Sequence, residues 1–362
     1  MIAPTSINPN KRGLGSSFNT LGISGTPPKN GREIWVMGKG IDLGNLTAME
    51  RRAKRKLLTK TMMMLLLEIA KEDENWKWHA RFESTLHCQD EQTTADNRAY
   101  TDFYCKQRCC LMCLANRKAQ IINSYLPIVE DMADPHFVTL TVVSVKKEDL
   151  DKRVDEIAEA IRTLIARYKK RHQRDKQIKF YGLWSLESNF NPLWLTYNPH
   201  IHLILPSEYA AQTFRSDWIE YWKEKGVKID EAAQDYRRVK RNRTKDLIEI
   251  VKYGSKIFTE PDIAKRMKYK LPRKPSFLYV RALYNILKAM DGHDVFNTFG
   301  FTLPKREKPC KMVKKTTNAI DWSYDLAAPD WINEDLGLKL VHYTPSDELE
   351  ALLQSRVNTD FE

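Results

Sequence analysis

The stretch TYNPHIHLIL, Thr196 to Leu205, decides how the chain is read. Its apolar run and its neighbours mark it as a strand, and on a strand residues two apart share a face. His200 and His202 therefore point the same way, while Ile201, Leu203 and Leu205 point into a core. Two neutral imidazoles side by side are good ligands for a divalent metal. Two half-exposed strand histidines are the plainer reading, and the spacing alone leaves both open.

Working outward, QIKFYGLWSLES reads as a strand just before, joined by a loop containing NFNPLWLTYNP. HFVTLTVVSV, His136 to Val145, is β-branched and strand-like. Between them Leu150, Val154, Ile157, Ile161 and Ile165 recur at steps of three and four, which predicts an amphipathic helix. EYAAQTFRSDWIEYWKEKG predicts a helix ended by Gly226, DYRRVKR a strand, and TKDLIEIVKYGSKIF a helix capped by Thr244. This order fits an antiparallel sheet with helices on one face. The expected fold class is α+β, with a central antiparallel sheet of about five strands.

Before this region, Ala48 to about Thr85 is helical in pattern, opening basic (ERRAKRKLLTK) and turning apolar, and NRKAQIINSYLPIVEDM continues as helix. SFLYVRALYNILKAM adds another helical segment after Pro261. Residues 1–45 are rich in Pro, Gly, Ser and Asn without a period and read as a flexible leader.

The 362 residues suffice for about two domains. A net charge of +12 and pI near 9.2 favour a polyanionic partner. The charge is uneven: from Thr316 to Glu362 there are ten acidic and two basic residues, net −8, which leaves +20 on residues 1–315. That acidic stretch reads as a tail, either solvated or a competitor for a nucleic-acid surface. The run MMMLLL, Met62 to Leu67, is far shorter than the roughly 20 residues a membrane span needs, and reads as a buried helix face. The N-terminus has no secretory apolar core, so a cytoplasmic protein is expected.

Six cysteines occur, at 88, 105, 109, 110, 113 and 310. Cys88, Cys105, Cys110 and Cys113 are spaced C-x16-C-x4-C-x2-C, compatible with structural Zn2+. Cys109 or His87 is an alternative ligand, and Cys310 reads as a lone thiol.

Two further pieces carry chemistry. Glu187, in LWSLES, lies where an antiparallel neighbour brings its carboxylate to the histidine face, and a hard oxygen beside two imidazoles suits Mg2+ or Mn2+. In EIVKYGSK, Glu249 and Tyr253 are four apart on a predicted helix and share a face, with Lys252 and Lys256 near. A phenol of reference pKa near 10 is a poor nucleophile unless its phenolate is stabilised. An amphipathic helix with a buried tyrosine is the plainer reading.

Taken in order, FVTLT, then LE, then NPHIH, then an ExxxY with a lysine three residues on resembles the replication initiators (Rep) of small bacterial rolling-circle plasmids. Those belong to the HUH endonucleases, named for histidine–hydrophobe–histidine. YCKQRCCLMC resembles the family's Cys-rich stretch, although Cys109 and Leu111 depart from its usual pattern. The resemblance runs from about Cys88 to Phe301.

It implies that His200, His202 and Glu187 bind a divalent metal, Mn2+ or Mg2+, and that Tyr253 attacks the scissile phosphate and stays on the 5′ end. Glu249 would activate water for termination, and Lys256 matches a basic residue near the nucleophile. The implied partners are plasmid origin DNA, single-stranded or cruciform at the nick, with a host helicase and single-strand-binding protein; a homodimer is carried as a further expectation. No Gly-rich phosphate loop of the P-loop form occurs, which argues against a built-in motor.

For DNA contacts the expected groups are Arg237, Arg238, Lys240, Arg241 and Arg243 of RRVKRNR, with RYKKRHQRDKQIK as a second basic stretch. Trp194 and Tyr197 are candidates for stacking on unpaired bases. The expected divisions are a leader at 1–45, a helical zinc-binding region at 46–130, the HUH endonuclease domain at 131–260, a helical extension with a basic segment at 261–315 and an acidic tail at 316–362. The rival readings are a relaxase or transposase with the same chemistry, or a non-catalytic zinc-containing DNA-binding regulator.

Overall fold

The computed structural model describes residues 35–36, 41–42, 44–95, 97–101, 103–175, 178–239, 277–301, 313–314 and 319–354. Two larger sheets and the helices packed on them organise these residues.

The first sheet has five strands. β5 (His136–Thr141), β6 (Gly182–Asn191), β7 (Thr196–Leu205), β8 (Asp235–Arg238) and β9 (Phe296–Phe299) lie in the order β8-β5-β7-β6-β9, all neighbours antiparallel. α4 (Leu150–Arg174) connects β5 to β6, and α5 (Glu208–Glu224) connects β7 to β8. The result is the split β-α-β-β-α-β arrangement, with β9 added on one edge. The stretch from Thr196 to Leu205 is the central strand.

Alternation along the strands sorts the side chains onto two faces. Val138, Leu140, Trp184, Leu186, Ile201 and Leu203 point to one face, where Val154, Ile157, Ile161 and Leu164 of α4 and Phe214 and Trp218 of α5 cover them. The period of α4 seen in the sequence is the face it buries. Ser207 starts α5, its hydroxyl accepting from the Ala210 N–H at 3.2 Å, and Gly226 ends it at φ +69°.

The expected loop at NFNPLWLTYNP is shorter than its composition suggests. β6 and β7 pair out to Asn191↔Thr196, and only four residues turn between them. Asn191 Oδ1 accepts from the Leu193 and Trp194 N–H groups at 3.0 and 3.4 Å, which closes the turn by side chain.

The remaining helices are α1 (Leu46–Glu72), α2 (Trp76–Leu86), α3 (Leu111–Glu130) and α6 (Phe277–Ala289); α3 packs Ile121 and Val129 on Phe137, Leu183 and Ile204, so helices cover part of both faces of the first sheet and not one face as expected. Asn45 and Asn75 cap α1 and α2, accepting from Ala48 and Trp78. Met62, Met63 and Leu66 pack on Trp78, Phe82, Val280 and Tyr284, so the MMMLLL run is mostly a buried helix face. α6 joins the layers: Ala282 and Ile286 face the sheet core, while Val280 and Leu283 face α1 and α2. Among the described residues no helix is long and apolar enough to cross a membrane.

The second sheet orders β13 (Leu338–Lys339), β12 (Asp330–Asn333), β11 (Ile320–Asp325), β3 (Glu91–Ala95), β4 (Arg98–Tyr100) and β2 (Ile41–Asp42), again antiparallel. A two-residue pair, β1 (Trp35–Val36) with β10 (Val313–Lys314), stands apart. Residues 320–339, expected within an acidic tail, are instead three strands docked on β3. Net charge hid the pattern: Trp322, Tyr324 and Trp331 are buried beside Cys88, Cys110 and Cys113, while most of the acidic side chains lie outside that core. A last helix, α7 (Asp347–Gln354), packs Leu349 against Leu57 of α1.

Candidate metal centre and cysteine cluster

Cross-strand register brings the first cluster together. Glu187 lies directly opposite His200, and Ser185 and Thr139 lie opposite His202 from either side. Residues opposed in an antiparallel pair share a face, so Thr139, Ser185, Glu187, His200 and His202 all point away from the α4–α5 core. Glu187, His200 and His202 are each less than a tenth exposed.

Both histidines present Nε2 to the carboxylate, each 3.8 Å from Glu187 Oε2. Their Nδ1 atoms are held from behind. His200 Nδ1 lies 2.9 Å from the Asn198 carbonyl oxygen, and His202 Nδ1 lies 3.1 Å from Thr139 Oγ1. A carbonyl only accepts, so His200 carries its proton on Nδ1 and leaves Nε2 as a lone pair. His202 also packs against Phe137, the rings tilted at 37° with centroids 5.2 Å apart. The three donor atoms lie within 4.8 Å of one another. Two metal–ligand bonds of about 2.2 Å meeting at an open angle span the 3.8 Å from each Nε2 to Glu187 Oε2, so the donor set fits a divalent cation.

A hydrogen-bond chain supports the strand ends. Gln234 Oε1 accepts from the Thr141 N–H at 2.9 Å, and the Thr141 hydroxyl donates to Asn198 Oδ1 at 2.7 Å. Thr139 and the Asn198 carbonyl were missed in the sequence. The signal for Thr139 was present, since FVTLT puts two threonines on the face opposite Val138 and Leu140.

The second cluster gathers Cys88, from the turn after α2, Cys105, from the loop after β4, and Cys110 and Cys113, at the start of α3. Sγ atoms of Cys88 and Cys113 are 3.6 Å apart, and those of Cys105 and Cys113 3.7 Å. A tetrahedron with Zn–S bonds of about 2.3 Å has edges of about 3.8 Å, so this donor set fits zinc. Backbone N–H groups of Cys105 and Lys106 donate to Cys88 and Cys113 Sγ at 3.4 and 3.3 Å. Cys110 caps α3, accepting from the Cys113 N–H at 3.5 Å. Hydrogen bonds from Cys110, Cys113 and Cys88 pull the Cys105 thiol far down, while the bond to Cys105 pushes Cys88 and Cys110 up. Cys109 points elsewhere, into the α1–α2 core against Met63, and burial pushes its thiol up to about 12. His87 is exposed and pairs with Asp90.

The remaining expected residues divide three ways. Trp194 sits at the β6–β7 turn, 71% exposed. Tyr197 is a core residue instead, buried with its hydroxyl accepting from Asn285 Nδ2 at 2.8 Å, and is closed to bases. Arg237 is on the histidine face, its guanidinium 4.8 Å over Phe137, and Arg238 pairs with Asp134 at 2.7 Å. In the RYKKRHQR stretch Arg171 pairs with Asp217. Tyr253, Glu249, Lys256, Lys240, Arg241, Arg243 and Cys310 lie outside the described residues.

Comparison with known proteins adds a family. The family model described as Replication protein matches residues 97–327. A curated Protein rep of a Bacillus species is 32% identical over 157 residues, 41% of this chain and 49% of that protein. The Protein rep of Bacillus amyloliquefaciens is 32% identical over 153 residues, 40% and 43% of the two chains. That of Staphylococcus aureus is 25% identical over 178 residues, 46% and 75%. The chain thus spans about half the length of the Bacillus relatives it matches. No solved structure matches it. Since the matched span covers well over half of the chain, and every clustered ligand residue except Cys88, the chain belongs to the replication-protein (Rep) family.

Proposed function

We propose that this protein initiates rolling-circle replication of a plasmid as an HUH endonuclease, nicking one origin strand at a fixed site. The observation that carries this reading is the Glu187–His200–His202 set, with both Nδ1 atoms held from behind and both Nε2 atoms turned to one carboxylate.

His200 Nε2, His202 Nε2 and the Glu187 carboxylate would hold Mn2+ or Mg2+, a Lewis acid for a non-bridging phosphate oxygen. The Tyr253 hydroxyl would give up its proton to solvent water and attack the phosphorus in line. The bond to the 3′ oxygen breaks, that oxygen takes a proton, and the 5′ phosphate stays on tyrosine. Transesterification keeps the bond energy, so nicking needs no nucleotide. At termination Glu249 would accept a proton from the attacking water, and Lys256 would offset the developing charge.

Arg237, with Arg238, Lys240, Arg241 and Arg243, would grip phosphates, and Trp194 would stack on an unpaired base. Cys88, Cys105, Cys110 and Cys113 would hold a structural zinc. The expected partners are a host helicase and single-strand-binding protein.

The test is a covalent adduct. Protein, Mn2+ and labelled single-stranded origin DNA are expected to give a labelled band that survives denaturation, lost in Tyr253→Phe and in His202→Ala. An equal band from Tyr253→Phe would remove the proposed nucleophile.

A further inference from the structure

The basic opening of α1 does not simply face solvent. Arg52 and Lys56, four apart and so on one helix side, are 4% and 0% exposed. Lys60 follows on the same side. Lys56 Nζ donates to the Leu86 and Cys88 carbonyls at 3.2 and 2.6 Å and pairs with Asp90. Lys60 pairs with Asp90 at 3.0 Å. Arg52 Nη2 donates to Gln89 Oε1 at 2.8 Å, while its Nε and Nη1, both buried, have no hydrogen-bond partner among the described residues. The turn that carries Cys88 is laid across three cations.

The same turn carries the second sheet. Trp331 Nε1 donates to the Gln89 carbonyl at 3.0 Å, and the Tyr324 N–H donates to the Asp90 carbonyl at 3.1 Å. The cations lie against those rings, Arg52 5.7 Å from Trp331, Lys56 and Lys60 each 5.4 Å from Tyr324. Asp330 is wholly buried, but its carboxylate is spent on the Trp331, Val341 and Tyr343 N–H groups.

Three cations against Asp90 leave two positive charges on this buried stripe. Burial lowers Arg52 to about 10, which still leaves it charged at neutral pH. Buried charge without a counter-charge is strongly destabilising. A divalent ion held by four thiolates carries a net charge of −2.

We propose that Arg52, Lys56 and Lys60 are the counter-charge of a dianionic metal–tetrathiolate centre at Cys88, Cys105, Cys110 and Cys113. Metal occupancy of the cysteines then governs whether the second sheet, residues 320–343, stays docked on α1. This inference rests on the zinc reading above.

Full-length protein settles it by two measurements on wild type, Arg52→Met, Arg52→Lys, Cys113→Ser and the Arg52→Met/Cys113→Ser double variant. Zinc affinity is read by competition with a chromophoric chelator, and docking by hydrogen exchange of peptides covering 320–343. Arg52→Met is expected to weaken zinc at least ten-fold, with Arg52→Lys within a few-fold of wild type. Stripping zinc speeds exchange at 320–343 and leaves peptides from 182–205 unchanged. The decisive outcome is a change of sign: Arg52→Met speeds exchange at 320–343 in the wild-type background but slows it in Cys113→Ser, where the unbalanced cation is the burden.

Unchanged zinc affinity in Arg52→Met, or the same effect with and without Cys113, overturns the proposal. If Arg52→Met alone does not fold, the double variant is expected to be the better folded of the two, and failure of that rescue overturns it equally. A protein that binds neither zinc nor cobalt through thiolates sinks the zinc reading itself, and is recognised separately by the missing cobalt–thiolate absorption.

Discussion

Thr139→Val tests the metal centre without touching a ligand. Valine keeps the shape of threonine but removes the oxygen that lies 3.1 Å from His202 Nδ1. His202 is buried, so its Nδ1 loses a bond worth about 0.5–1.5 kcal/mol net and keeps part of a desolvation cost of about 1–3 kcal/mol. The ring remains packed on Phe137, which limits how far it turns. His200 keeps its carbonyl anchor in every side-chain variant. Loss of one outer partner of a ligating histidine typically costs about 10–100-fold in metal affinity, or about 1.4–2.8 kcal/mol at 1.4 kcal/mol per decade. Mn2+ titration of DNA-free protein, followed by the loss of the free-ion electron paramagnetic resonance signal, reads this directly. Thr139→Ser restores the hydroxyl and should return affinity to within a few-fold of wild type. Thr139→Val binding Mn2+ within two-fold of wild type, at unchanged fold, would refute the assignment of His202 Nε2 as a ligand oriented by Thr139.

Three further outcomes follow from named contacts. Glu187→Gln removes a buried carboxylate and should raise the melting temperature without metal, while abolishing most of the stabilisation that saturating Mn2+ gives wild type, about 2.7 kcal/mol at 100 times Kd; thermal melts with and without Mn2+ check both halves. Gly300→Ala places a Cβ 1.7 Å from the Phe180 carbonyl oxygen at φ +77°, so denaturant unfolding should show a loss of at least about 1–3 kcal/mol. Burial alone would raise Asp291, but its pairing with Lys77 and Arg81 outweighs that and holds the carboxyl below its ordinary value. A depressed carboxyl stabilises above its unfolded pKa of about 3.9. That contribution fades as pH falls through the lower folded value. The stability difference between wild type and Asp291→Asn, under about 1 kcal/mol for so exposed a cluster, should therefore vanish towards pH 2.

The parts of this protein that the sequence made readable share one property: their physics is local. His200 and His202 are two apart, so strand geometry alone fixes their common face. α4 announces its buried side by its period. Cys110 and Cys113 are three apart at a helix start. What stayed hidden needs partners distant in the chain. Glu187 was an exception, expected on the histidine face because its strand lies just before theirs in the chain, and the Glu187↔His200 register places it there. Residues 320–339 looked like a tail because charge dominates their composition, whereas their strand character depends on β3, more than two hundred residues earlier. Tyr197 was misjudged because alternation was not carried back along the strand to its first residues. It lies on the same face as Ile201 and Leu203, and that face is core.

The two faces of the first sheet explain why the histidine pair sits on its central strand. A strand paired on both sides fluctuates little, and β7 is paired with β5 and β6 over His200 and His202. The helix-covered face supplies the rigidity: Ile201 and Leu203, which flank His202 in sequence, are fully buried under α4 and α5. Each histidine is thus fixed three ways, by its strand, by a buried neighbour and by a hydrogen bond at Nδ1. A cation bound by this set, as proposed, would meet a geometry already formed, so little of the binding energy would go into ordering ligands. Ile201→Ala would probe this division of labour, since it cuts the anchor without touching the polar face: if the core fixes the ligands, the change weakens Mn2+ binding as well as stability, and stability alone would move if it does not.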